Sequence, residues 1–258
     1  MTKRASKIAA AVLFVIILGL SSNGYAETKE GFSYTLDGNN NAVITGCTAT
    51  PYGVIIIPQQ IDGHTVTAIG DDAFYNCAYL TRVILPDTIT SIGSFAFCRC
   101  SALTSINLPY GITIISKDAF QGCRSLKSIE IPKSVKSIGD SAFDNCSSLT
   151  SITVPSSVVN IGYSAFRGCS LLANIQLSSE ITKINAYMFS NCRSLKSIII
   201  SSKVTVIDTC AFMGCNSLSS VIVPPSVTFI NCSAFDDCYD VVLFCSREFL
   251  RSSMGYLK

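Results

Sequence analysis

The sequence has no tryptophan, one histidine and few charged residues, since Asp, Glu, Lys and Arg make up 14% of its 258 residues. Hydrophobic residues make up 48% of the chain. This high hydrophobicity and the low charge argue against disorder, because disordered segments combine low hydrophobicity with high charge. A formal net charge of +2 gives no electrostatic basis for binding nucleic acid. A Ser-His-Asp or Cys-His catalytic arrangement would have to use His64.

Common enzyme motifs are also missing. The sequence contains neither the Gly-x-Ser-x-Gly of many hydrolases nor a glycine-rich loop that would cradle phosphate. Asp71 and Asp72 are adjacent carboxylates, but a solvated turn accounts for them. We therefore expect a protein that is not an enzyme, with no catalytic residues and no cofactor.

The first residues have the layout of a secretory signal peptide. Three basic residues precede Ile8–Leu20, a run of 13 apolar or small residues. Gly24 and Ala26 are small residues at the two positions that a signal peptidase recognises before its cleavage site. The apolar run is shorter than the roughly 18–20 residues that span a bilayer, so cleavage is favoured over a membrane anchor. We predict that residues 1–26 are removed and that the mature chain, without a membrane span, is exported to the periplasm, cell surface or medium.

A repeat of 23 residues organises the rest of the chain. Phenylalanine recurs at this spacing eight times without an insertion, and a cysteine follows each phenylalanine three positions later. Strict periodicity of this kind is typical of solenoids. We assign to the structural core of the repeat Phe74, Phe97, Phe120, Phe143, Phe166, Phe189, Phe212, Phe235, Cys77, Cys100, Cys123, Cys146, Cys169, Cys192, Cys215 and Cys238.

Each unit has the same internal pattern. A Leu-x-x-apolar-x-apolar segment predicts a short strand, in which alternate side chains point inward. Proline often follows and ends the strand, because it cannot donate to the hydrogen-bond ladder. A second apolar pair is rich in β-branched residues, which favours a short strand or an irregular turn over a helix. One coil cannot bury its own apolar edge, but stacked coils form a continuous core.

These motifs resemble the BspA-like subclass of leucine-rich repeat proteins. The resemblance is carried by stretches such as Ile138–Pro155, with the order Ile-Gly-x-x-Ala-Phe-x-x-Cys-x-x-Leu, and it covers about residues 55–244. It implies a solenoid, a curved stack of parallel β-strand coils with little helix. Departures are small: Met188 replaces the alanine before one phenylalanine, and Ser178 and Ser201 replace proline.

The two ends differ from the middle, as solenoid caps must. Phe32 to Gly46 alternate apolar and polar positions around the turn-forming run Asp37–Asn41, which predicts a β-hairpin cap over residues 27–53. The solenoid then spans residues 54–246, with a degenerate first repeat at 54–70 before the eight regular units. Residues 247–258 are polar and are predicted to be a C-terminal cap or tail.

Eight of the thirteen cysteines share one position of the repeat. In stacked coils about 4.8 Å apart their side chains are parallel, a poor geometry for disulfides, so we predict a column of buried thiols. The resemblance implies that this column satisfies or shields the turn backbone. Zinc is the alternative for three closely spaced pairs: Cys98/Cys100, Cys210/Cys215 and Cys232/Cys238. Because a zinc site needs four converging ligands and each pair includes a column cysteine, we expect no metal.

The outward positions of the strands are mostly small and hydroxylated, although an inert sheet would show the same residues. Ile199 and Ile222 are equivalent in neighbouring coils and predict an exposed apolar spot. Eight coils give a strand face of about 400–600 Å², whereas a standard interface takes about 800 Å² per partner, so flanking turns would have to contribute. The candidate protein-binding face consists of Arg82, Ile84, Ser105, Asn107, Ser128, Glu130, Ser151, Thr153, Asn174, Gln176, Ser197, Ile199, Ser220 and Ile222.

Sequence and resemblance together predict an exported, adhesin-like binding protein. The resemblance implies attachment to extracellular-matrix proteins, host surfaces or other microbes. The alternatives are an envelope scaffold that organises the cell's own proteins and, less favoured, an enzyme or enzyme inhibitor. We expect extracellular or envelope proteins as partners, no nucleic acid, and leave self-association open.

Overall fold

A computed structural model of the chain describes residues 26–27 and 31–245. The predicted signal peptide, apart from Ala26, and the predicted C-terminal cap or tail lie outside these residues. The described chain is a parallel β-solenoid of about nine turns in which no residue is helical. The predicted fold class is therefore confirmed, including the hairpin at the N-terminal end.

Six strands build the N-terminal cap and the first coil: β1 (Ala26–Glu27), β2 (Phe32–Leu36), β3 (Ala42–Cys47), β4 (Gly53–Ile56), β5 (Gln60–Ile61) and β6 (His64–Ile69). The antiparallel pair β2–β3 is followed by a parallel pairing of β3 with β6. The hairpin therefore covers an edge of the solenoid that would otherwise be open to pairing with another chain.

Asp37 closes the turn between β2 and β3. Its Oδ1 accepts hydrogen bonds from the backbone N–H groups of Asn41 and Asn39, each at 2.8 Å. The bond from the Asn41 backbone is the main reason that the pKa of the Asp37 carboxyl lies below its usual value. A carboxylate that bonds its own backbone in this way is the physical basis of the turn signal in the sequence.

Fourteen further strands follow: β7 (Leu80–Ile84), β8 (Ser91–Ile92), β9 (Ser105–Ile106), β10 (Ile114–Ile115), β11 (Ser137–Ile138), β12 (Ser151–Thr153), β13 (Asn160–Ile161), β14 (Asn174–Gln176), β15 (Lys183–Ile184), β16 (Ser197–Ile199), β17 (Val206–Ile207), β18 (Ser220–Ile222), β19 (Phe229–Ile230) and β20 (Val242–Phe244). The Leu-x-x-apolar segments form one side of the solenoid, in three short sheets with the orders β4-β7-β9, β12-β14 and β16-β18-β20. The second apolar pair of each unit lies on the return side, where all but one of the units described have a strand of two residues. The exception is the last unit, which ends with β20.

The phenylalanines form a continuous stack through the core. Seven of the eight are fully buried, and Phe235 at the C-terminal end is partly buried. Neighbouring rings are nearly parallel, with centroids 5.1–5.7 Å apart. Parallel strands repeat every 4.7–4.9 Å. The larger spacing of the rings reflects offset stacking, because the coils beside them stay joined by backbone hydrogen bonds such as that from the Phe143 N–H to the carbonyl of Ala165, at 2.8 Å. We call the side formed by the Leu-x-x-apolar segments the concave side, after the curvature that the resemblance implies.

In seven of the eight units the backbone is left-handed two residues before and two residues after the phenylalanine, and in the last unit only after it. Around Phe143, Ser141 has a φ of 52° and Asn145 a φ of 58°. This geometry turns their N–H groups toward the next coil, where they donate to the carbonyls of Tyr163 (2.8 Å) and Arg167 (2.7 Å). Left-handed backbone favours Gly, Asn and Asp. The repeated choice of these residues two positions after phenylalanine is thus a turn requirement.

Column thiols complete the same corner. In seven units the cysteine Sγ–H donates to the carbonyl of the phenylalanine 26 residues earlier, at 3.0–3.2 Å. Cys77, in the first unit, has no phenylalanine coil before it and is partly buried. All thirteen cysteines are free thiols. The column therefore satisfies the turn backbone, which is the role that the resemblance implies.

Two features of the strands differ from the prediction. Residues 126–132 of the third unit form no strand, although Ile129 and Ile131 are buried. In the unit before, the Asn107 side chain bonds both the N–H and the C=O of Leu85 at 2.8 Å, so a side-chain amide replaces strand pairing there. The concave ladder is thus interrupted at its centre.

The last strand departs from the 23-residue spacing, although Phe235 and Cys238 keep it. Strand β20 pairs with β18 so that Leu243 lies opposite Val221 and Phe244 opposite Ile222, a spacing of 22 residues instead of 23. Side chains alternate across a strand, so a shift of one residue exchanges its two faces. The shift turns apolar Leu243 toward the core and leaves Phe244 58% exposed.

In four of the eight units a glycine lets one return segment lie directly on another: Gly70, Gly93, Gly139 and Gly162. The N–H of Gly162 donates to the carbonyl of Ile138 at 2.8 Å. A Cβ there would lie 2.6 Å from the backbone carbon of Gly139 and closer still to the Asp140 nitrogen. At Ser116, which replaces glycine in an equivalent position, the side-chain hydroxyl makes the bond to the preceding coil instead, at 2.6 Å.

We expect Gly162→Ala to lower the free energy of unfolding by about 2–3 kcal/mol, because the methyl group forces two coils apart. Urea unfolding followed by circular dichroism measures this. Gly38→Ala is the matched control, since a Cβ at Gly38 meets no atom within 4 Å. A loss of stability at Gly162 no larger than at Gly38 would contradict the close stacking of the coils.

Candidate protein-binding face and turn groove

The structure brings most of the predicted binding face into register on the concave side. Equivalent residues pair across strands, as in Ser151↔Asn174 and Ile199↔Ile222. Asn107, Ser128 and Glu130 lie outside strands. All fourteen residues are exposed or partly buried.

The C-terminal end of this face is apolar. Ile199, Ile222 and Phe244 are aligned by strand pairing and are 88%, 71% and 58% exposed. Val242, beside them on β20, is also exposed. Phe244 was missed from the sequence because strict 23-residue spacing places it opposite Val221, which points inward. The alternation of Val241, Leu243 and Cys245 is the signal that could have found it.

The N-terminal end is apolar as well. Val54 and Ile56 of β4 are 56% and 64% exposed, and Ile56 pairs with Ile84 of β7. Between the two ends the equivalent positions are polar: Asn107, Glu130, Thr153 and Gln176. The face therefore has two apolar ends and a hydrophilic centre.

A separate open groove of about 590 Å³ lies on the turns of the later units. It is lined by Arg124, Asn145, Ser147, Arg167, Gly168, Ser170, Tyr187, Ser190, Asn191, Arg193 and Met213. Arg167 makes two bonds to the buried carboxylate of Asp144, Nε–Oδ1 at 3.1 Å and Nη2–Oδ2 at 2.9 Å. The bond to Asp144 raises the pKa of the Arg167 guanidinium. The sequence prediction missed this groove.

The side chain of His64 contacts residues of the N-terminal cap. Its Nδ1 lies 2.9 Å from the carbonyl oxygen of Asn40, and its ring lies 6.4 Å from that of Tyr34. In the described part of the chain, no three His, Cys, Asp or Glu residues are grouped so that they could hold a metal ion. No helix of residues 26–27 and 31–245 is long and apolar enough to cross a membrane.

Known proteins share this architecture. A leucine-rich repeat protein from Bacteroides ovatus ATCC 8483 superposes with a TM-score of 0.73 and 30% identity over 83% of this chain. This chain spans 56% of that protein's length. The T. pallidum leucine-rich repeat protein TpLRR gives a TM-score of 0.66 and 31% identity, over 88% of this chain and 93% of its own.

No curated protein matches the sequence. The family model for the BspA type leucine rich repeat region matches in six copies, over residues 56–155 and 113–242. These matches cover most of the chain, from the first coil to β20. The chain therefore belongs to the BspA-type leucine-rich repeat proteins.

Proposed function

We propose that the chain is an exported module that binds other proteins, with an adhesin-like role toward extracellular-matrix or cell-surface proteins. Its family and the segment at residues 1–26 support export. The observation that carries the proposal is the exposed apolar ladder of Ile199, Ile222 and Phe244. The concave face itself is the binding surface, and no catalytic step is involved.

The apolar ladder is the energetic centre of this surface. Three large side chains in adjacent coils leave more than half of their surface in water. Contiguous exposed apolar groups of this kind mark interaction sites more often than isolated ones. Binding energy concentrates in a few such residues, with polar neighbours that exclude water around them. The Ser and Thr residues along the concave face supply those neighbours.

The polar centre of the face limits the affinity. The side-chain amide of Asn107 is already bonded to the backbone of Leu85, so it has few hydrogen bonds left for a partner. Few charges lie on the face, which predicts a weak dependence of binding on salt. A partner that contacts both apolar ends at once would bind more tightly than one that contacts a single end.

We expect the double variant Ile199→Ser/Ile222→Ser to bind at least tenfold more weakly than the native protein, because burying an isoleucine contributes about 1.5–3 kcal/mol. Residues 27–258 are titrated by surface plasmon resonance over immobilised fibronectin, fibrinogen and laminin. Ile114→Ser/Val159→Ser is the matched control, since these side chains are 52% and 47% exposed on the return side.

Each outcome separates the functional hypotheses. Saturable binding that is weakened in the first double variant and kept in the control supports the proposal. Binding equally strong in both variants would place the site away from the ladder. Absence of binding to all three proteins would favour the scaffold within the producing cell's envelope.

A further inference from the structure

The turn groove combines three cationic side chains with few acidic ones. Arg124, Arg167 and Arg193 line it, and the neighbouring carboxylate of Asp144 is buried and bonded to Arg167. Arg124 and Arg193 are exposed and form no ion pair within the described residues. The groove therefore has a net positive charge that the fold does not neutralise, and it suits an anion.

The arginines are spaced along the stack. Arg124 and Arg193 occupy the same repeat position three units apart, which at about 4.8 Å per coil separates their backbones by about 14 Å. Arg167 lies between them along the stack, held in place by its two bonds to Asp144. A ligand that meets all three must be an extended chain with several anionic groups. A single phosphate or sulfate ion is too small.

Glycine keeps the floor of the groove open. A Cβ at Gly168 would lie 2.5 Å from Oδ1 of Asn145, and one at Gly214 would lie 2.8 Å from Oδ1 of Asn191. The amides of Asn145 and Asn191 therefore lie against the glycines of the following coils, and their Nδ2 groups donate to Asp144 Oδ1 and Ser190 Oγ, each at 3.1 Å. Hydroxyl groups of Ser147 and Ser170 lie beside them. The floor presents small neutral hydrogen-bonding groups between the cations.

Backbone groups of the floor are not available to a ligand. The N–H groups of Asn145, Gly168 and Asn191 already donate to the next coil, at 2.7–2.8 Å. A peptide could not add itself as a strand here, because strand addition needs free backbone donors and acceptors. Tyr187 and Met213 are the large apolar side chains of the lining.

We propose that the groove binds an acidic saccharide, a sugar chain that bears carboxylate or sulfate groups. The guanidinium groups of Arg124 and Arg193 bond the anionic substituents in pairs of parallel hydrogen bonds. Arg167 keeps its two bonds to Asp144 and offers the ligand its remaining N–H groups. The second N–H of each Asn amide and the Ser hydroxyl oxygens bond the sugar hydroxyls, and the Tyr187 ring, 38% exposed, packs against a sugar face. This site lies on the turns and is independent of the concave protein-binding face.

The test is isothermal titration of the protein with a heparin-derived octasaccharide, with maltooctaose as the neutral probe and octaglutamate as the acidic peptide. We expect saturable binding of the octasaccharide alone. Arg124→Ala/Arg193→Ala should weaken it at least tenfold, and higher salt should weaken it further. Tyr187→Asn, which tolerates the left-handed backbone at this position (φ 56°), should weaken it severalfold.

Lys133→Ala/Lys136→Ala is the matched control, because it removes two positive charges from exposed side chains outside the groove. Binding reduced equally in both double variants would mean nonspecific attraction and overturn the proposal. Octaglutamate binding with the same dependence on Arg124 and Arg193 would assign the groove to acidic peptides instead. Equal binding of maltooctaose, or no binding of the octasaccharide, would also overturn it. The Ile199→Ser/Ile222→Ser variant should bind the octasaccharide normally.

Discussion

In reducing buffer the protein is expected to unfold cooperatively between about pH 9 and pH 10, well before most lysines lose their charge. The cause is the thiol column. Burial raises the pKa of five column thiols above its usual value: Cys123, Cys146, Cys169, Cys192 and Cys215. In the unfolded chain the same thiols ionise near pH 8.5.

The direction of the effect follows from proton binding. Above pH 8.5 the folded chain keeps protons that the unfolded chain releases, so the stability is complete below this pH and falls as the pH rises toward the folded pKa values. Each buried thiol costs about 1.4 kcal/mol per pH unit in this range. Five thiols together cost about 7 kcal/mol by pH 9.5, which is comparable with the whole stability of a typical domain.

The measurement is the free energy of unfolding from urea titrations between pH 7.5 and pH 9.5. Cys146→Ser/Cys169→Ser is the informative variant, because the hydroxyl can still donate to the carbonyls of Phe120 and Phe143. With two fewer thiols, the slope above pH 9 should fall from about 7 to about 4 kcal/mol per pH unit. A free energy that stays constant over this range would show that the column thiols are not held protonated in the core.

The strict period made the core predictable. A phenylalanine and a cysteine at fixed positions can only stack on their equivalents, and the structure shows this stack from Phe74 to Phe235. The N-terminal hairpin was predictable because Asp37–Asn41 is a local turn signal that needs no tertiary contact. These features depend on spacing and local chemistry, both of which are explicit in the sequence.

Local departures from the period could not be read in the same way. Whether residues 126–132 pair as a strand depends on small shifts between neighbouring coils. The apolar pattern of the sequence is the same with or without such shifts. The outward position of Phe244 depends on one residue lost from the turn before β20. The groove is hidden in the sequence for another reason, because Arg124 and Arg193 are 69 residues apart, three full periods. Comparing equivalent turn positions would have revealed the pair.

Phe143→Ala is expected to lower the free energy of unfolding by about 3–5 kcal/mol, because the ring is fully buried and its removal leaves a cavity in the stack. The melting temperature should fall by roughly 6–20 °C, at about 2–4 °C per kcal/mol for a chain of this size. Differential scanning calorimetry measures both. Phe229→Ala makes the same chemical change at a side chain that is 50% exposed on the return side, and it should cost less than about 1 kcal/mol.

The position of the ring in the stack gives the experiment a second readout. Phe143 contacts the rings of Phe120 and Phe166 on its two faces, with centroids 5.6 Å away in both directions. In a solenoid each coil is stabilised by its neighbours, so a cavity in the middle weakens the coupling between the two halves. The calorimetric transition of Phe143→Ala should therefore broaden as well as shift, whereas Phe235→Ala, at the partly buried end of the stack, should shift the transition less and leave it sharp. Equal losses for Phe143 and Phe229 would contradict a core organised around the phenylalanine column.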